Sequence, residues 1–363
     1  MAKTLLFSVH DLRDFIIRFF RKLGVTEEHA QIAAKILLAA DLRGVSSHGI
    51  ARLHTYYGSG ILKGLINPAS PYKVLRETPT TLLMDGGNGL GMVAGQATMD
   101  KVIEKARTTG VALASVRNSN HYGIAGYYAM MALDYDMIGV SFTNAQPLVA
   151  PTYSRSAMLG TNPIAVAVPA LNERPFVLDM ATSIVPIGKI SVHQQTGNEI
   201  PAGWGIDSTG QVTTNPQAVL QGGALLPLGG IDLFRGYKGY GLALLVDIFS
   251  GLLSGAAVGP EVGNPVRDTI ANVGHFFAAI RIDAFRDPLE FKTDLDHLLR
   301  TLKEAPKAEG QDRIFIHGEK EFEAVEKNLR EGIPMLAGIA ASLREAGNTV
   351  GVAFDLQPLR EID

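Results

Sequence analysis

Two histidines in similar surroundings are the clearest candidates for chemistry in this sequence. His48 lies in "SSHGIARLHTYY" at 46–57, and His121 lies in "NSNHYGIAGYY" at 118–128. Each histidine is followed closely by a glycine with Ile-Ala, and then by a Tyr-Tyr pair. An imidazole takes up or releases a proton near neutral pH, so either histidine could serve as a general acid or base.

The segment around the first histidine also carries a cation and a phenol. In a helix over 48–57, His48, Arg52 and Tyr56 would line one face, because they are spaced by four residues. A guanidinium can hold a carboxylate through two parallel hydrogen bonds, and a phenol can orient a hydroxyl or carbonyl oxygen. The same spacing is also typical of an exposed polar helix face. His54 lies off this line and is expected to be a surface residue.

The second histidine follows the predicted strand "VALASV", in the polar turn "RNSNHYG". Strand ends that open into polar turns are frequent ligand sites in α/β proteins, and Asn118, Ser119 and Asn120 could fix the tautomer of His121. A turn histidine that bonds only to backbone explains the same residues equally well. Metal binding is less favoured, because neither histidine belongs to a His-x-x-x-His pair or lies near a carboxylate cluster.

Composition excludes several classes of protein. The 363 residues are 46% hydrophobic and 19% charged, which indicates a globular protein. A net charge of −3 provides no basic field for nucleic acid or an anionic membrane. The absence of cysteine excludes disulfides, thiolate nucleophiles and cysteine-ligated zinc. The segment "MAKTLLFSVHDLRDF" is a poor signal peptide, so a cytoplasmic location is expected.

Helices are expected towards both ends of the chain. Residues 8–40 have the pattern of a helical hairpin, in which Ser8 and Thr26 cap the helices and Gly24 ends the first one. Residues 287–346 are charge-rich and mostly helical in pattern. The two helical ends are therefore expected to pack together.

Between these ends the sequence changes to short apolar, β-rich runs broken by Gly, Pro and Asn. The runs are "TLLMDGG", "VALASV", "MIGVSFTN", "IAVAVPA", "PFVLDMA" and "HFFAAIRIDAF", with an amphipathic helix, "ATMDKVIEKARTTG", between the first two. The pattern predicts an α/β domain with a mixed sheet at 76–285, and a discontinuous, mainly helical domain formed from 1–75 and 286–363.

The longest apolar run, "GLALLVDIFSGLLSGAAVG" at 241–259, contains Asp247 and several Gly and Ser residues. These residues argue against a membrane span, so a buried helix is expected. Gly251 and Gly255 would let another helix or another subunit approach closely.

A dinucleotide-binding fingerprint is present only in outline. Residues 89–94, "GLGMVA", match G-x-G-x-x-A after a predicted strand. The next strand ends in Arg117 and Asn118, with no acidic residue to hold a ribose hydroxyl. A glycine-rich turn that leads into a packed helix is the preferred interpretation.

A series of segments matches one known family in order along nearly the whole chain. The segments are "ADLRGVSSHGIARL", "RNSNHYGIAGYYA", "LGTNPIAVAVP", "LDMATS", "PAGWGIDSTG", "GGALLPLGG", "GYKGYGLALLVDI" and "IFIHGEKEF". Together they resemble the type-2 malate/L-lactate dehydrogenase family, which includes sulfolactate, ureidoglycolate and diketogulonate oxidoreductases. The resemblance implies a non-Rossmann fold, NAD or NADP as cofactor, a 2-hydroxy or 2-oxo acid as substrate, and a homodimer with the cofactor between domains, near the partner subunit.

The resemblance also implies site residues. His121 and His48 match the two histidines described as catalytic, Arg52 matches the arginine that binds the substrate carboxylate, and the helical spacing adds Tyr56. The implied cofactor-binding residues are Asn144, Ala145, Thr161, Asn162, Asp179, Met180, Ala181, Thr182, Ser183, Lys238, Gly239, His317, Gly318 and Glu319, in segments that also contain Thr143 and Pro163. At His317 this chain departs from the family, since many members have proline there.

Elementary chemistry is compatible with these assignments. The hydroxyls of Thr182 and Ser183 could hold phosphate oxygens, and Lys238 could reach a pyrophosphate or a ribose as a point charge. Asp179 could accept a hydrogen bond from a ribose hydroxyl, or it could cap a helix, and the two roles can coexist.

The sequence thus predicts an enzyme that transfers a hydride between nicotinamide and C2 of a small 2-hydroxy or 2-oxo acid, with malate as the first choice and lactate or sulfolactate as others. His121 is expected to transfer the hydroxyl proton, and His48 to orient the substrate with Arg52. A cyclic imino-acid reductase on the same scaffold is the alternative within the class. Outside it, the alternatives are a His-ligated metal-dependent hydrolase or lyase and a ligand-binding protein without turnover.

Overall fold

The computed structural model describes residues 3–362. Its α-helices are α1 (Val9–Lys22), α2 (Glu27–Leu42), α3 (Ser59–Leu62), α4 (Gly91–Thr109), α5 (Ala125–Met130), α6 (Ile187–Thr196), α7 (Pro216–Leu220), α8 (Tyr237–Asp247), α9 (Pro288–Glu304), α10 (Glu319–Glu331) and α11 (Ala337–Val350). Its strands are β1 (Thr4–Phe7), β2 (Lys73–Glu77), β3 (Thr81–Asp85), β4 (Val111–Ser119), β5 (Met137–Thr143), β6 (Ile164–Val168), β7 (Phe176–Met180), β8 (Gly205–Ile206), β9 (Val212–Thr213), β10 (Ala224–Leu225), β11 (Val273–Arg281), β12 (Ile333–Leu336) and β13 (Arg360–Ile362).

A seven-stranded sheet forms the centre of the protein, in the order β2-β3-β4-β11-β5-β6-β7. β3 and β4 are parallel, whereas the other neighbours are antiparallel. Antiparallel neighbours distinguish this sheet from the parallel sheet of a Rossmann fold. The α/β class with a mixed sheet is therefore confirmed, and every predicted apolar run contains a strand of this sheet.

A smaller sheet, β10-β8-β9, lies with α6 and α7 in the segment between β7 and α8. It has its own apolar cluster, which includes Ile190, Val219 and Leu225. The backbone N–H of Ile184 donates to the carbonyl oxygen of Leu226 at 3.0 Å. The small sheet thereby holds the chain just beyond the end of β7.

The helical hairpin at the start of the chain begins and ends where the capping residues predict. The Ser8 hydroxyl accepts from the backbone N–H of Asp11, and the Thr26 hydroxyl accepts from that of His29, both at 3.3 Å. Gly24 has φ of +87°, a conformation that suits glycine after a helix. These caps satisfy amide groups that a helix end leaves without partners.

The two ends of the chain meet in a sheet that the sequence did not predict. β1 pairs with both β12 and β13, antiparallel in each case. One apolar cluster contains Phe15 of α1, Ile36 of α2, Met92 of α4 and Phe277 of β11. The helical ends thus share a core with the central sheet, and the division into domains at 76 and 285 stays a prediction.

The glycine pattern at 89–94 has a packing explanation. A Cβ on Gly91 would lie 2.0 Å from the carbonyl oxygen of Asn120, and one on Gly89 would lie 2.4 Å from Cα of Ser70. These contacts leave no room for a side chain. The glycines let the first turn of α4 press against the backbone beside His121.

The predicted regular helix over 48–57 is wrong. The chain forms a 3₁₀ turn at Ser46–His48, a π-helical turn at Leu53–Gly58 and then α3. The Asp41 carboxylate causes the break: it accepts from the backbone N–H of Ile50 at 2.8 Å and lies 2.2 Å from where a Cβ of Gly49 would be. A side-chain acceptor in this place diverts the backbone from helical bonding.

The apolar run at 241–259 is only half buried, which corrects the expected buried helix. α8 continues into a π-helical turn at Ile248–Leu252. Ala243, Val246 and Gly251 face the protein, whereas the exposed set comprises Leu244, Leu245, Ile248, Leu252 and Leu253. Within residues 3–362, no helix is both long and apolar enough to cross a membrane.

Candidate active site

The two histidines singled out by the sequence lie face to face. β4 ends at Ser119 and delivers His121, and the 3₁₀ turn after α2 delivers His48. The ring centroids are 5.3 Å apart, and the ring planes differ by 27°. The two His-Gly segments therefore lie side by side, and Nδ1 of His121 contacts both the Tyr57 hydroxyl and the backbone N–H of Gly123.

Both tyrosines of the 46–57 segment, Tyr56 and Tyr57, contact His121 through their hydroxyls. The Tyr56 hydroxyl accepts from the backbone N–H of His121 at 3.2 Å. The Tyr57 hydroxyl lies 2.6 Å from Nδ1 of the same imidazole. Sequence reasoning missed Tyr57, because a regular helix would have turned it away from the face that carries Tyr56; the π-helical turn brings both phenols to one loop.

His48 and Arg52 are joined through Ser47. The Ser47 hydroxyl lies 2.9 Å from Nδ1 of His48, and Nε of Arg52 donates to the Ser47 carbonyl oxygen at 2.8 Å. The remaining guanidinium nitrogens bond to no residue among 3–362. They are free to hold an anionic ligand beside the histidines.

His54 is not the surface residue that was expected. It is half-buried, and its ring packs edge-on against Phe19 with 6.5 Å between centroids. It belongs to the core between α1 and the π-helical turn, where it helps to fix the segment that carries the site.

Burial and positive charge favour neutral imidazoles. Burial, aided by the charge of Arg52, lowers the pKa of His48 to about 4. Burial also lowers the pKa of His121 well below its ordinary value, with further contributions from His48, Arg52 and His275. Burial raises the pKa of Tyr56 to about 12. Near neutral pH the site thus offers imidazoles as proton acceptors and phenols as donors.

A third histidine, His275, holds the strand end from inside the sheet. Its Nδ1 lies 2.8 Å from the Thr143 hydroxyl, and its Nε2 lies 2.8 Å from the Ser119 hydroxyl. The ring stacks on Tyr122, with 4.4 Å between centroids. Since His275 is fully buried, its role is to fix the loop that presents His121.

The predicted cofactor segments converge beside the end of β7. Asn162 Oδ1 accepts from the backbone N–H of Ala145 at 3.1 Å, and the Thr161 carbonyl oxygen accepts from that of Thr182 at 2.8 Å. Asp179 Oδ2 accepts from the backbone N–H of Gly126 at 2.7 Å. This last bond caps α5 and links the convergence point to the loop of His121.

Several predicted cofactor contacts are side chains with protein partners of their own. Asn144 bonds to Asp247, Ala257 and Gly274, and Asn162 Nδ2 donates to Ala243.

The two hydroxyls expected to hold phosphate are also committed. The Thr182 hydroxyl donates to the carbonyl oxygens of Thr161 and Asn162, and the Ser183 hydroxyl donates to that of Val185. These side chains hold the turns in place. Met180 ends β7 and Ala181 follows it, and both are half-buried.

The two other predicted cofactor segments, which contain Lys238 and His317, also lie near β7. Gly239, beside Lys238, packs so tightly on Leu228 that a Cβ would lie 2.2 Å from its carbonyl oxygen. The His317 carbonyl oxygen accepts from the backbone N–H of Val177 in β7 at 3.1 Å.

The Gly318-Glu319 pair that follows His317 has a structural role. Gly318 has φ of +96° and packs on Val177. Glu319 is buried in ion pairs with Lys303 and Arg313. It therefore anchors the start of α10, and its side chain is not free for a ligand.

Two charged groups at the convergence point remain open to solvent. Lys238 is exposed and forms no ion pair within residues 3–362. Asp179 is open to solvent on one side, but many protein atoms lie close to its carboxylate. This partial desolvation raises the pKa of Asp179 to about 6. An exposed cation and an exposed carboxylate are groups that suit the phosphates and ribose hydroxyls of a dinucleotide. No group of three or more His, Cys, Asp or Glu side chains among the described residues could hold a metal ion.

This site and the mixed sheet together match one class of enzyme, the 2-hydroxyacid dehydrogenases that lack a Rossmann fold. The profile of the malate/L-lactate dehydrogenase family matches residues 7–344. A malate dehydrogenase of Pyrococcus abyssi (strain GE5 / Orsay) is 49% identical over 343 residues, which cover 94% of each chain. The L-sulfolactate dehydrogenase of Methanocaldococcus jannaschii is 39% identical over 344 residues, 94% of this chain and 96% of that protein.

The structural comparison agrees. The solved structure of malate dehydrogenase from Pyrococcus horikoshii OT3 has a TM-score of 0.90 and 44% identity, and the match covers 98% of this chain and 97% of that one. The chain belongs to the malate/L-lactate dehydrogenase family. It is a nicotinamide-dependent dehydrogenase of the malate/L-lactate type, and the cyclic imino-acid and metal-dependent alternatives are not favoured.

Proposed function

We propose that this enzyme interconverts malate and oxaloacetate in preference to other 2-hydroxy and 2-oxo acids. The observation that carries the proposal is the stacking of His48 on His121 beside Arg52, whose terminal nitrogens have no acidic partner among residues 3–362. A 2-hydroxy acid brings a carboxylate for the arginine and a hydroxyl for an imidazole. The malate dehydrogenase relatives support malate among such acids.

Each residue of the proposed site has one task. Arg52 binds the substrate carboxylate, and His48 orients the substrate beside it. His121 takes the hydroxyl proton in oxidation and returns it to the oxo oxygen in reduction. The protonated phenol of Tyr56 holds the His121 backbone. Because the charge of Arg52 helps to lower both histidine pKa values, a bound carboxylate offsets that charge and raises them towards the range where a proton is easily exchanged.

A nicotinamide dinucleotide, when bound, supplies the acceptor or donor of the hydride. We propose that Asp179 and Lys238 hold its polar groups, Asp179 as an acceptor for ribose hydroxyls and Lys238 as a charge for phosphate. We propose that the backbone of Ala145, of Thr161 and of the end of β7 at Met180 and Ala181 lies along the same ligand. NAD and NADP both remain candidates.

The active form is proposed to be a homodimer. The exposed apolar face of α8 and the turn after it would be buried against a second copy of the chain. Exposed apolar patches of this kind mark protein–protein contacts. The face begins beside Lys238, so the partner would lie close to the cofactor site.

The test is a spectrophotometric panel. Purified protein is mixed with NADH or NADPH and with oxaloacetate, pyruvate, sulfopyruvate or a cyclic imino acid, and absorbance at about 340 nm is followed. We expect the highest kcat/KM with oxaloacetate. Turnover of the imino acid alone would replace the proposal with the reductase alternative, and no turnover with any acid would refute it.

A further inference from the structure

We propose that Arg43 binds a phosphate group of the nicotinamide dinucleotide, next to the ribose whose hydroxyls would donate to Asp179. The inference rests on the proposed function, in which the cofactor lies along the end of β7. It adds a residue that neither the motifs nor the family resemblance assigned to the site.

Arg43 is a buried cation without a hydrogen-bonding partner in the protein. The residue is 8% exposed, and its guanidinium forms no hydrogen bond or ion pair with any residue among 3–362. Burial of a charged group that carries several N–H donors costs free energy unless acceptors meet those donors. Water or a ligand must therefore supply the acceptors.

The end of α2 is fixed on α10, and this contact sets the position of Arg43. The Asn328 side chain of α10 donates to the carbonyl oxygens of Asp41 and Leu42, at 3.3 and 2.9 Å. The guanidinium carbon of Arg43 lies 4.8 Å from the ring centroid of Phe322, in the first turn of α10. This cation–π contact holds the charge in place but supplies no oxygen acceptor for the N–H groups.

The guanidinium is accessible, and it lies near the proposed cofactor surface. No nitrogen of Arg43 is both unpartnered and sealed from solvent, so each nitrogen keeps some contact with solvent. Burial lowers the pKa of Arg43, and the charges of Glu321 and Asp179 act against that effect. Both carboxylates are therefore near, although neither forms an ion pair with Arg43.

A dinucleotide fits this mixture of charges better than a simple anion does. A phosphate can satisfy the guanidinium through two parallel hydrogen bonds, but Asp179 and Glu321 would repel an isolated anion. A ribose next to the phosphate brings hydroxyls that donate to a carboxylate. The phosphate belongs either to the pyrophosphate of both cofactors or to the 2′-phosphate of NADP, and binding measurements separate the two.

The test is Arg43→Met, with Arg344→Met as the matched control. Methionine keeps a long apolar side chain against Phe322 and removes the charge. Arg344, exposed on α11, also lies over an aromatic ring, that of Phe354 at 5.6 Å. NADH, NADPH and ADP-ribose are titrated by calorimetry into protein without substrate, so the readout is affinity and requires no turnover.

If Arg43 holds the pyrophosphate, Arg43→Met should bind all three ligands about 10–100-fold more weakly than the wild type does. If Arg43 holds the 2′-phosphate, only NADPH should lose affinity by this factor. Arg344→Met should bind all three ligands as the wild type does. Arg43→Lys, which keeps the charge and loses the planar fork, should bind more tightly than Arg43→Met and more weakly than the wild type.

Unchanged affinity of Arg43→Met for all three ligands would overturn the inference. Urea unfolding checks that the variant is folded, and Arg43→Gln, which also removes the charge, replaces it if it is not. A wild type that binds none of the three ligands would refute the proposed cofactor surface and the inference with it. Failure of the malate preference in the substrate panel would refute the proposed function alone, since the titrations contain no substrate.

Discussion

At the scale of single residues, the proposed site depends on Arg52, whose terminal guanidinium nitrogens bond to no residue among 3–362. Nε of Arg52 is fixed by the Ser47 carbonyl oxygen at 2.8 Å, so the plane of the guanidinium is set before substrate arrives. We expect Arg52→Lys to raise KM chiefly and to lower kcat/KM by about 10²–10³-fold, because lysine keeps the charge and loses the planar fork. Initial rates with malate and oxaloacetate measure both constants. Arg13→Lys, an exposed change on α1, is the control, and unchanged kinetics in Arg52→Lys would remove this arginine from the site.

The two stacked histidines make different predictions. If His121 transfers the proton, His121→Ala should lower kcat by about 10²–10⁴-fold, whereas His48→Ala should act mainly on KM. The pKa of His121 is lowered well below its ordinary value, so the base stays unprotonated as pH falls. The acidic limb of kcat/KM for oxidation should therefore lie well below pH 6.5 in the wild type.

The same limb should be lost in His121→Ala. An acidic limb that survives in His121→Ala and disappears in His48→Ala would exchange the two roles. The profile is measured on free enzyme and subsaturating malate, since kcat/KM reports the groups of the unliganded protein.

At the scale of elements, Asp41 decides the path of the segment that carries the site. Its buried carboxylate accepts from the Ile50 N–H and replaces a helical turn. Burial raises its pKa from 3.8 to about 7, so the folded protein binds this proton more tightly than the unfolded chain does. The stability that results is fully present below about pH 4 and is lost as the pH rises through 7.

Asp41→Asn should remove this titration while it keeps an oxygen for the Ile50 N–H. The free energy of unfolding of Asp41→Asn relative to the wild type should therefore rise between pH 5 and pH 8, as followed by urea unfolding. Asp41→Ala should be destabilised by about 1–3 kcal/mol, because the buried N–H loses its acceptor. The exposed change Asp312→Asn, at a carboxylate with no side-chain partner among residues 3–362, should show no such pH-dependent difference, and a flat difference for Asp41→Asn as well would exclude the titration of Asp41.

At the scale of the whole molecule, the chain leaves an apolar face that a single copy does not bury. Leu252 and Leu253 are 63% and 61% exposed, and Ile248 and Leu244 continue the same face. Burial of such side chains against a second copy would stabilise the assembly by roughly 25 cal/mol per Å² of apolar area.

Leu252→Arg should shift sedimentation from dimer to monomer and reduce activity at the same protein concentration. Leu298→Arg places the same charge at an exposed leucine of α9 and should leave both unchanged. An active wild-type monomer in sedimentation at the concentration of the assay would contradict the proposed homodimer.

The sequence alone established the class of fold and indicated the groups that we propose for the chemistry. Short apolar runs bounded by Gly, Pro and Asn favour strands over helices, so all the strands of the central sheet except β2 were identified. Ser8, Thr26 and Gly24 set the helix limits through local hydrogen bonds and φ. His48, Arg52 and His121 were identified because few residue types can exchange a proton or clamp a carboxylate at neutral pH.

Tertiary structure alone decided how these groups are arranged. The bend at Gly49 comes from a carboxylate on the preceding helix, and it brings Tyr57 to Nδ1 of His121, a contact between residues 64 positions apart. The Thr182 hydroxyl has the right chemistry for a ligand, yet the carbonyl oxygens of Thr161 and Asn162, 21 and 20 positions away, occupy it. β1 is paired only because β12 and β13 return to it. Such partners are set by packing across the whole chain, which no local pattern of residues records.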